Sequence, residues 1–399
     1  MRRYNVVDTT ARTASSHPRT PYSDRNTIAV EVLPTQFSPA LLHADSRTLS
    51  PKGRRIWTAA QFGMLFAGAI LVGLLLFQPE LGLSVMWRGA IFAAPAMITV
   101  APGLWRNICP MATVHQLPKR LGLSLHKKMP EWMAAALGLL SVTGLFIIVP
   151  MRHIGLNSDG AMTAVMLMVA ATIAFGMGAL FEARCGWCTT LCPIHPVEKL
   201  YGTVPAIAFK NARCDLCENC TTPCPDSTPG MSPVNTGTTR LQQFLGRFVV
   251  GSFPGFVWGW YQVKDLPADQ VGFSDVLTAY AWPLGAALAS FLLFTRAERA
   301  LRRHESARHA LHRAFAAAAV SIYYWFRLPG PVALLPDWYP TVYHIGTTSF
   351  FFWFLVVRSP KGVSWLIRPT MSSAYWSSLY KRTSQNGVIH AGPTKEIRT

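Results

Sequence analysis

The sequence predicts an all-α polytopic membrane protein of about eight transmembrane helices, interrupted once by a short cysteine-rich insert. Three observations lead there. Half of the 399 residues are hydrophobic and only 14% are charged, against about 25% in an ordinary soluble domain. The apolar residues gather in stretches long enough to cross about 30 Å of hydrocarbon. All eight cysteines fall between positions 109 and 224, leaving none for a structural pair elsewhere.

The elements follow in order. Residues 1–55 are rich in Ser, Thr, Pro and Arg and lack an apolar h-region; they read as a flexible cytoplasmic tail with no ordinary secretory signal. A four-helix membrane region at 56–181 has spans at 57–77, 84–104, 132–150 and 161–181, and the insert covers 182–232. A second membrane region at 233–358 has spans at 244–263, 274–295, 311–328 and 340–357, and 359–399 forms a cytoplasmic C-terminal tail.

Charge orients these spans. "SPKGRR" precedes the first one, and the 105–131 loop carries Arg106, Lys119, Arg120, Lys127 and Lys128, so both belong to the cytoplasmic side. Six arginines between 295 and 313 should stay there too, which requires an even number of crossings after the insert. Segment 244–263 supplies one of them, although it holds Arg247, Pro254 and four glycines; a re-entrant or interfacial helix is the alternative. The net charge of +18 lies beside the spans rather than on a polar domain. It therefore reads as topology and contact with membrane lipid, and no nucleic-acid partner is expected.

The insert carries the chemistry. "CDLCENCTTPCP" (214–225) places Cys214, Cys217, Cys220 and Cys224 at C-x2-C-x2-C-x3-C, closing on Cys-Pro. This is the bacterial ferredoxin run for an iron–sulfur cluster. "CGWCTTLCP" (185–193) holds Cys185, Cys188 and Cys192 in the same pattern, with Glu182 where the leading cysteine would stand. Zinc ribbons separate two C-x2-C knuckles by a longer insert, whereas four cysteines here crowd into eleven residues. The residues thus predict two [4Fe-4S] clusters in a small cytoplasmic ferredoxin-like segment. In two-cluster ferredoxins the fourth cysteine of each run serves the other cluster. One cluster then takes Cys192, Cys214, Cys217 and Cys220, and the other takes Cys185, Cys188 and Cys224 and lacks a ligand. Cys109, also followed by proline and on the same membrane face, is the leading candidate. Glu182, an iron left open to a small molecule, or a Cys109 that is a buried bystander are the alternatives.

Among the histidines, His115 and His195 are candidates to donate a hydrogen bond to a cluster, with a surface-loop role as the plainer reading. Arg152, His153 and Asp159 group in the 151–160 loop, where they could accept a proton from a quinol or serve as interfacial loop residues. His312 and His344 fall at different depths of late spans, so a haem is not expected.

With these motifs in place, the chain resembles the membrane-bound polyferredoxin-like proteins of respiratory and oxidase-maturation systems. These include the membrane ferredoxins of periplasmic nitrate reductase and methylamine utilisation, the nitrous oxide reductase accessory protein and the cbb3 oxidase assembly protein. "CGWCTTLCP", "CDLCENCTTPCP" and "ICP" (108–110) carry the resemblance over residues 57–230. It implies a bacterial inner-membrane protein relaying single electrons through two cytoplasm-facing clusters. The donor would be a quinone pool or a cytoplasmic protein, and the acceptor a redox partner such as a ferredoxin, reductase or oxygenase. The chain departs from the family in its incomplete first run, its later spans and the absence of a flavin-attachment segment, for which "NTGTTR" (235–240) is a weak look-alike. Two other functions stay open: a quinol or metal-ion oxidoreductase, and an assembly or scaffold protein with structural or sensory clusters.

Overall fold

The computed structural model describes residues 49–127, 129–181, 186–202, 205–207, 209, 212–213, 239–328 and 336–358. They are mostly helical, with no strand among the described residues. Six helices are long and apolar enough to cross a bilayer: α1 (Pro51–Phe77), α2 (Pro79–Val100), α5 (Glu131–Leu156), α6 (Gly160–Leu180), α9 (Phe273–Ala300) and α11 (Trp338–Arg358). Between them lie α3 (Pro102–Ile108), α4 (Pro110–Arg120), α7 (His195–Tyr201), α8 (Arg240–Trp260) and α10 (Glu305–Trp325). The chain is a multi-pass helical membrane protein.

Local chemistry fixes the ends. Ser50 accepts the Gly53 N–H at 3.1 Å and Pro51 opens α1, a position that needs no amide donor. Asp159 caps α6 by accepting from Met162 N–H at 2.9 Å. Thr239 and Gln242 form a reciprocal capping box at the start of α8. The expected span 84–104 starts earlier and stops at Val100. Ala101 precedes Pro102 and leaves the helical region (φ −138°, ψ 58°), because a following proline disfavours helical backbone.

Outward faces of α1, α6 and α9 expose Phe66, Ile70, Val165, Val169, Leu288 and Leu293. So much contiguous apolar surface is what lipid contact requires. The interior is organised around α8, which buries Val249, Val250, Phe253 and Phe256 against Phe146 of α5, Tyr201 of α7, Phe294 of α9 and Val320 of α10. α8 and α10 are both 21 residues long, about 31 Å at 1.5 Å per residue. They match the length of the spans but are less apolar, as helices surrounded by protein can be.

A glycine stripe sets the α8–α9 spacing. At Gly251 an added Cβ would stand 2.6 Å from the Phe294 ring, and at Gly259 it would stand 2.5 Å from the Trp282 carbonyl. Gly255 lies still closer to the Ala286 carbonyl. Small residues four apart let two backbones approach in this way. Gly255→Leu is expected to destabilise the helix pair by about 1–3 kcal/mol or more, read as a lower thermal unfolding midpoint in detergent. Gly63→Leu, where a Cβ meets nothing within 4 Å, should leave the midpoint unchanged.

Candidate metal centre

Residues 102–120, expected as the last turn of a span and the start of the 105–131 loop, form two short helices that run back into the bundle. Gly103 packs on Phe209, whose ring meets Trp57 near the start of α1 at 6.1 Å. Seven residues later, Pro110 lies 3.8 Å from the Cβ position of Gly68, in the middle third of α1. The chain then returns along α4, where Arg120 donates to Gln61 at 2.5 Å. The pair α3–α4 is therefore a re-entrant hairpin with Cys109 at its tip.

A second segment enters from the same end. It begins at Gly186, which packs on Met177 and His115, and turns at Cys192. The Ser141 hydroxyl, halfway along α5, donates to the Cys192 carbonyl at 2.7 Å. Both cysteines thus stand level with the middles of the spans around them. The two segments are joined on either side of these turns, by the buried Arg106–Glu198 pair and by the His115 ring packed on Gly186.

The two turns share a conformation. Cys109 (φ −51°, ψ 118°) and Cys192 (φ −64°, ψ 118°) are held extended by the prolines that follow them. Cys109 stands at the N-terminal end of α4, the positive end of the helix.

Charge surrounds the site. Arg106 pairs with Glu198, both buried, joining the hairpin to α7. His115 is 1% exposed, so it is no surface-loop residue; its Nδ1 donates to the Ala174 carbonyl at 3.0 Å and its ring packs on Gly186. The His195 N–H donates to the Cys192 carbonyl at 3.0 Å, and its ring lines a cleft with Ser141, Thr190, Lys199, Leu245 and Val249. Glu182, Cys185, Cys214, Cys217, Cys220 and Cys224 lie outside the described residues. Among the described residues, no group of three or more Cys, His, Asp or Glu is arranged to hold a metal ion.

Other candidates sit elsewhere. At the far end of the bundle His153 bonds Asp265 at 2.5 Å and the Trp260 carbonyl at 2.9 Å, and Arg152 lies between the Trp87 and Trp260 rings. Asp159 is occupied as the α6 cap. His312 bonds Glu298 at 3.1 Å, while His344 stacks on Trp325 at the opposite end of α10. Sequence reasoning missed the hairpin and Arg213. Two prolines bracketing a seven-residue helix, Pro102 and Pro110, were the available signal for the hairpin. No family model matches the chain, and no curated protein or solved structure is similar to it.

In protein prepared without metal and retaining only Cys109 and Cys192, a short bifunctional thiol reagent should form an internal cross-link, seen by intact mass. Independent single alkylations without a cross-link would mean that the two turns do not meet.

Proposed function

We propose that this chain is a membrane-embedded electron-transfer protein that relays single electrons through two [4Fe-4S] clusters. Cys109, Cys185, Cys188 and Cys224 would hold one, and Cys192, Cys214, Cys217 and Cys220 the other. The observation that carries the reading is that Cys109 and Cys192, residues 83 apart in the chain, sit on matching proline-fixed turns at the same depth, in segments tied together by the Arg106–Glu198 pair. A bystander cysteine has no need of a partner turn of the same shape. Bound clusters would supply reversible one-electron chemistry. The chain's own part is to hold thiolates, exclude water and keep the two sites adjacent.

The same reading takes α8 and α10 as crossings, giving eight. That keeps the arginines at 296, 299, 302 and 303 on the side where α1 begins, the cytoplasm by the positive-inside rule. The partner would be a redox protein docking at that face of a bacterial inner membrane.

Anaerobically purified protein should contain about eight irons and eight sulfides per chain, the content of two cubanes, and no stoichiometric zinc. Cys109→Ser should halve the iron and remove one of two low-temperature EPR signals after reduction. Two unaltered signals would remove Cys109 from the ligand set.

The cleft beside Cys192 favours a second reading, a quinol oxidoreductase. Its apolar wall of Val142, Leu245 and Val249 faces Ser141, Thr190, His195 and Lys199 midway along the spans. The cleft, of about 90 Å³, has room for the edge of an apolar ring whose carbonyl oxygen would meet Lys199 or His195 as donor. Lys199→Met should then slow reduction of the iron centres by a lipophilic quinol at least tenfold while leaving reduction by dithionite unchanged. Equal rates with quinol would retire this reading and leave the first intact.

A further inference from the structure

One buried side chain touches every part of the Cys109 turn. Arg213 is 1% exposed. Its Nε donates to the Arg106 carbonyl at 2.6 Å and its Nη2 to the Cys109 carbonyl at 2.8 Å and the Thr113 hydroxyl at 3.0 Å. Its Nη1 donates to Gln116 Oε1 at 3.1 Å, and Gln116 Nε2 donates back to the Arg213 carbonyl at 3.2 Å. These acceptors come from the last turn of α3, the tip itself and the first two turns of α4. In sequence, Arg213 immediately precedes Cys214, the first cysteine of the second run.

Part of this is capping. The end of α3 leaves carbonyls without intrahelical donors, and inside a bilayer those must be met by side chains. A neutral amide could meet one or two of them. Arg213 does more, because its planar fork reaches four acceptors on separate elements, which the compact lysine ammonium cannot do. It also brings a charge that cannot be shed by deprotonation. With Nη2 2.8 Å from the Cys109 carbonyl, that charge stands directly beside the ligand turn. Reduction adds negative charge to a thiolate-bound cluster, so a fixed cation nearby favours the reduced state and raises the potential.

We propose that Arg213 is a positioning and tuning residue: it locks the Cys109 turn to the second cysteine run and raises the reduction potential of the cluster that Cys109 serves. This rests on the reading of Cys109 as a ligand. Its test uses the full-length protein, purified anaerobically, as wild type, Arg213→Lys and Arg213→Gln. Iron and sulfide are measured per chain, and each EPR signal is titrated against potential. The signal lost in Cys109→Ser identifies the cluster in question.

Arg213→Gln is expected to shift that signal to lower potential and leave the other near its wild-type value. Arg213→Lys, which keeps the charge, should restore most of the shift. Should Arg213→Gln lose the Cys109-dependent signal altogether while the other persists, the positioning half is supported. The lysine variant then reads the charge half, through a potential that stays near wild type. Wild-type content and potential in both variants would overturn the proposal, as would an equal shift of both signals. Wild-type protein without iron would overturn the cluster reading itself, and the proposal with it.

Discussion

The arrangement depends on one constraint: helices that stop inside an apolar bundle must have every orphaned backbone group satisfied by protein. Two chain reversals occur here at the level of the span midpoints, and both are closed. The Cys109 N–H completes α3 by donating to the Trp105 carbonyl, and the Cys109 carbonyl accepts from Thr113 and Arg213. The Cys192 N–H donates to the Trp187 carbonyl, and its carbonyl accepts from His195 N–H and the Ser141 hydroxyl. With the backbone of each cysteine committed, only the side chain of each is left to bind a ligand. Polar residues that look out of place in a membrane chain, such as Ser141, Thr113, Gln116 and Arg213, are there because irregular backbone is there.

Central packing answers the same need at a larger scale. The re-entrant hairpin and α7 take up volume that lipid or another span would fill, so the remaining helices must close tightly around them. The glycine stripe on α8 lets α9 approach to backbone contact, while Phe146, Phe253 and Phe256 fill the space on α8's other side. Tyr323 and Tyr324 of α10 donate to the Ile91 and Phe92 carbonyls of α2, where Pro95 interrupts the helical ladder just beyond. The Tyr324 oxygen in turn accepts the Ala96 N–H at 3.0 Å. Helix α10 is thus polar where it must repair α2 and alanine-rich where it must pack, and for that reason it lacks the apolarity of a lipid-facing span.

How much of this could be read from sequence follows from which forces act locally. The lipid-facing spans were legible, because lipid imposes a composition that any window detects. The interior helices 244–263 and 311–328 were legible as helices of spanning length but not by apolarity, since their surroundings are protein. The cysteine runs were legible from spacing alone. That Cys109 belongs near them was inferred from its proline and its side of the membrane; the structure ties its hairpin to the segment after Cys192 through the Arg106–Glu198 pair, and the rest of the runs lie outside the described residues. The depth of the hairpin was not legible, because a short proline-bracketed helix reads equally well as surface loop or re-entrant turn. Arg213 was invisible for a related reason: beside a cysteine run in a chain of net charge +18, one more arginine carries no signal until its four acceptors are seen around it.

The Cys-Pro pairs explain why a ligand could move so far along the chain. Proline at the first helical position costs no hydrogen bond and forces its predecessor into extended backbone. The side chain of that predecessor is then set over the first free N–H groups of the helix. Cysteine in that place stands at the helix N-terminus, whatever the sequence on its far side. Cys109 meets these conditions at the start of an eleven-residue helix, and Cys192 takes near-identical dihedral angles before the short turn that leads into α7. Under the proposed function, the first ferredoxin run has not decayed at Glu182. The missing sulfur would then come from the Cys109 turn, delivered by helix packing and not by sequence proximity.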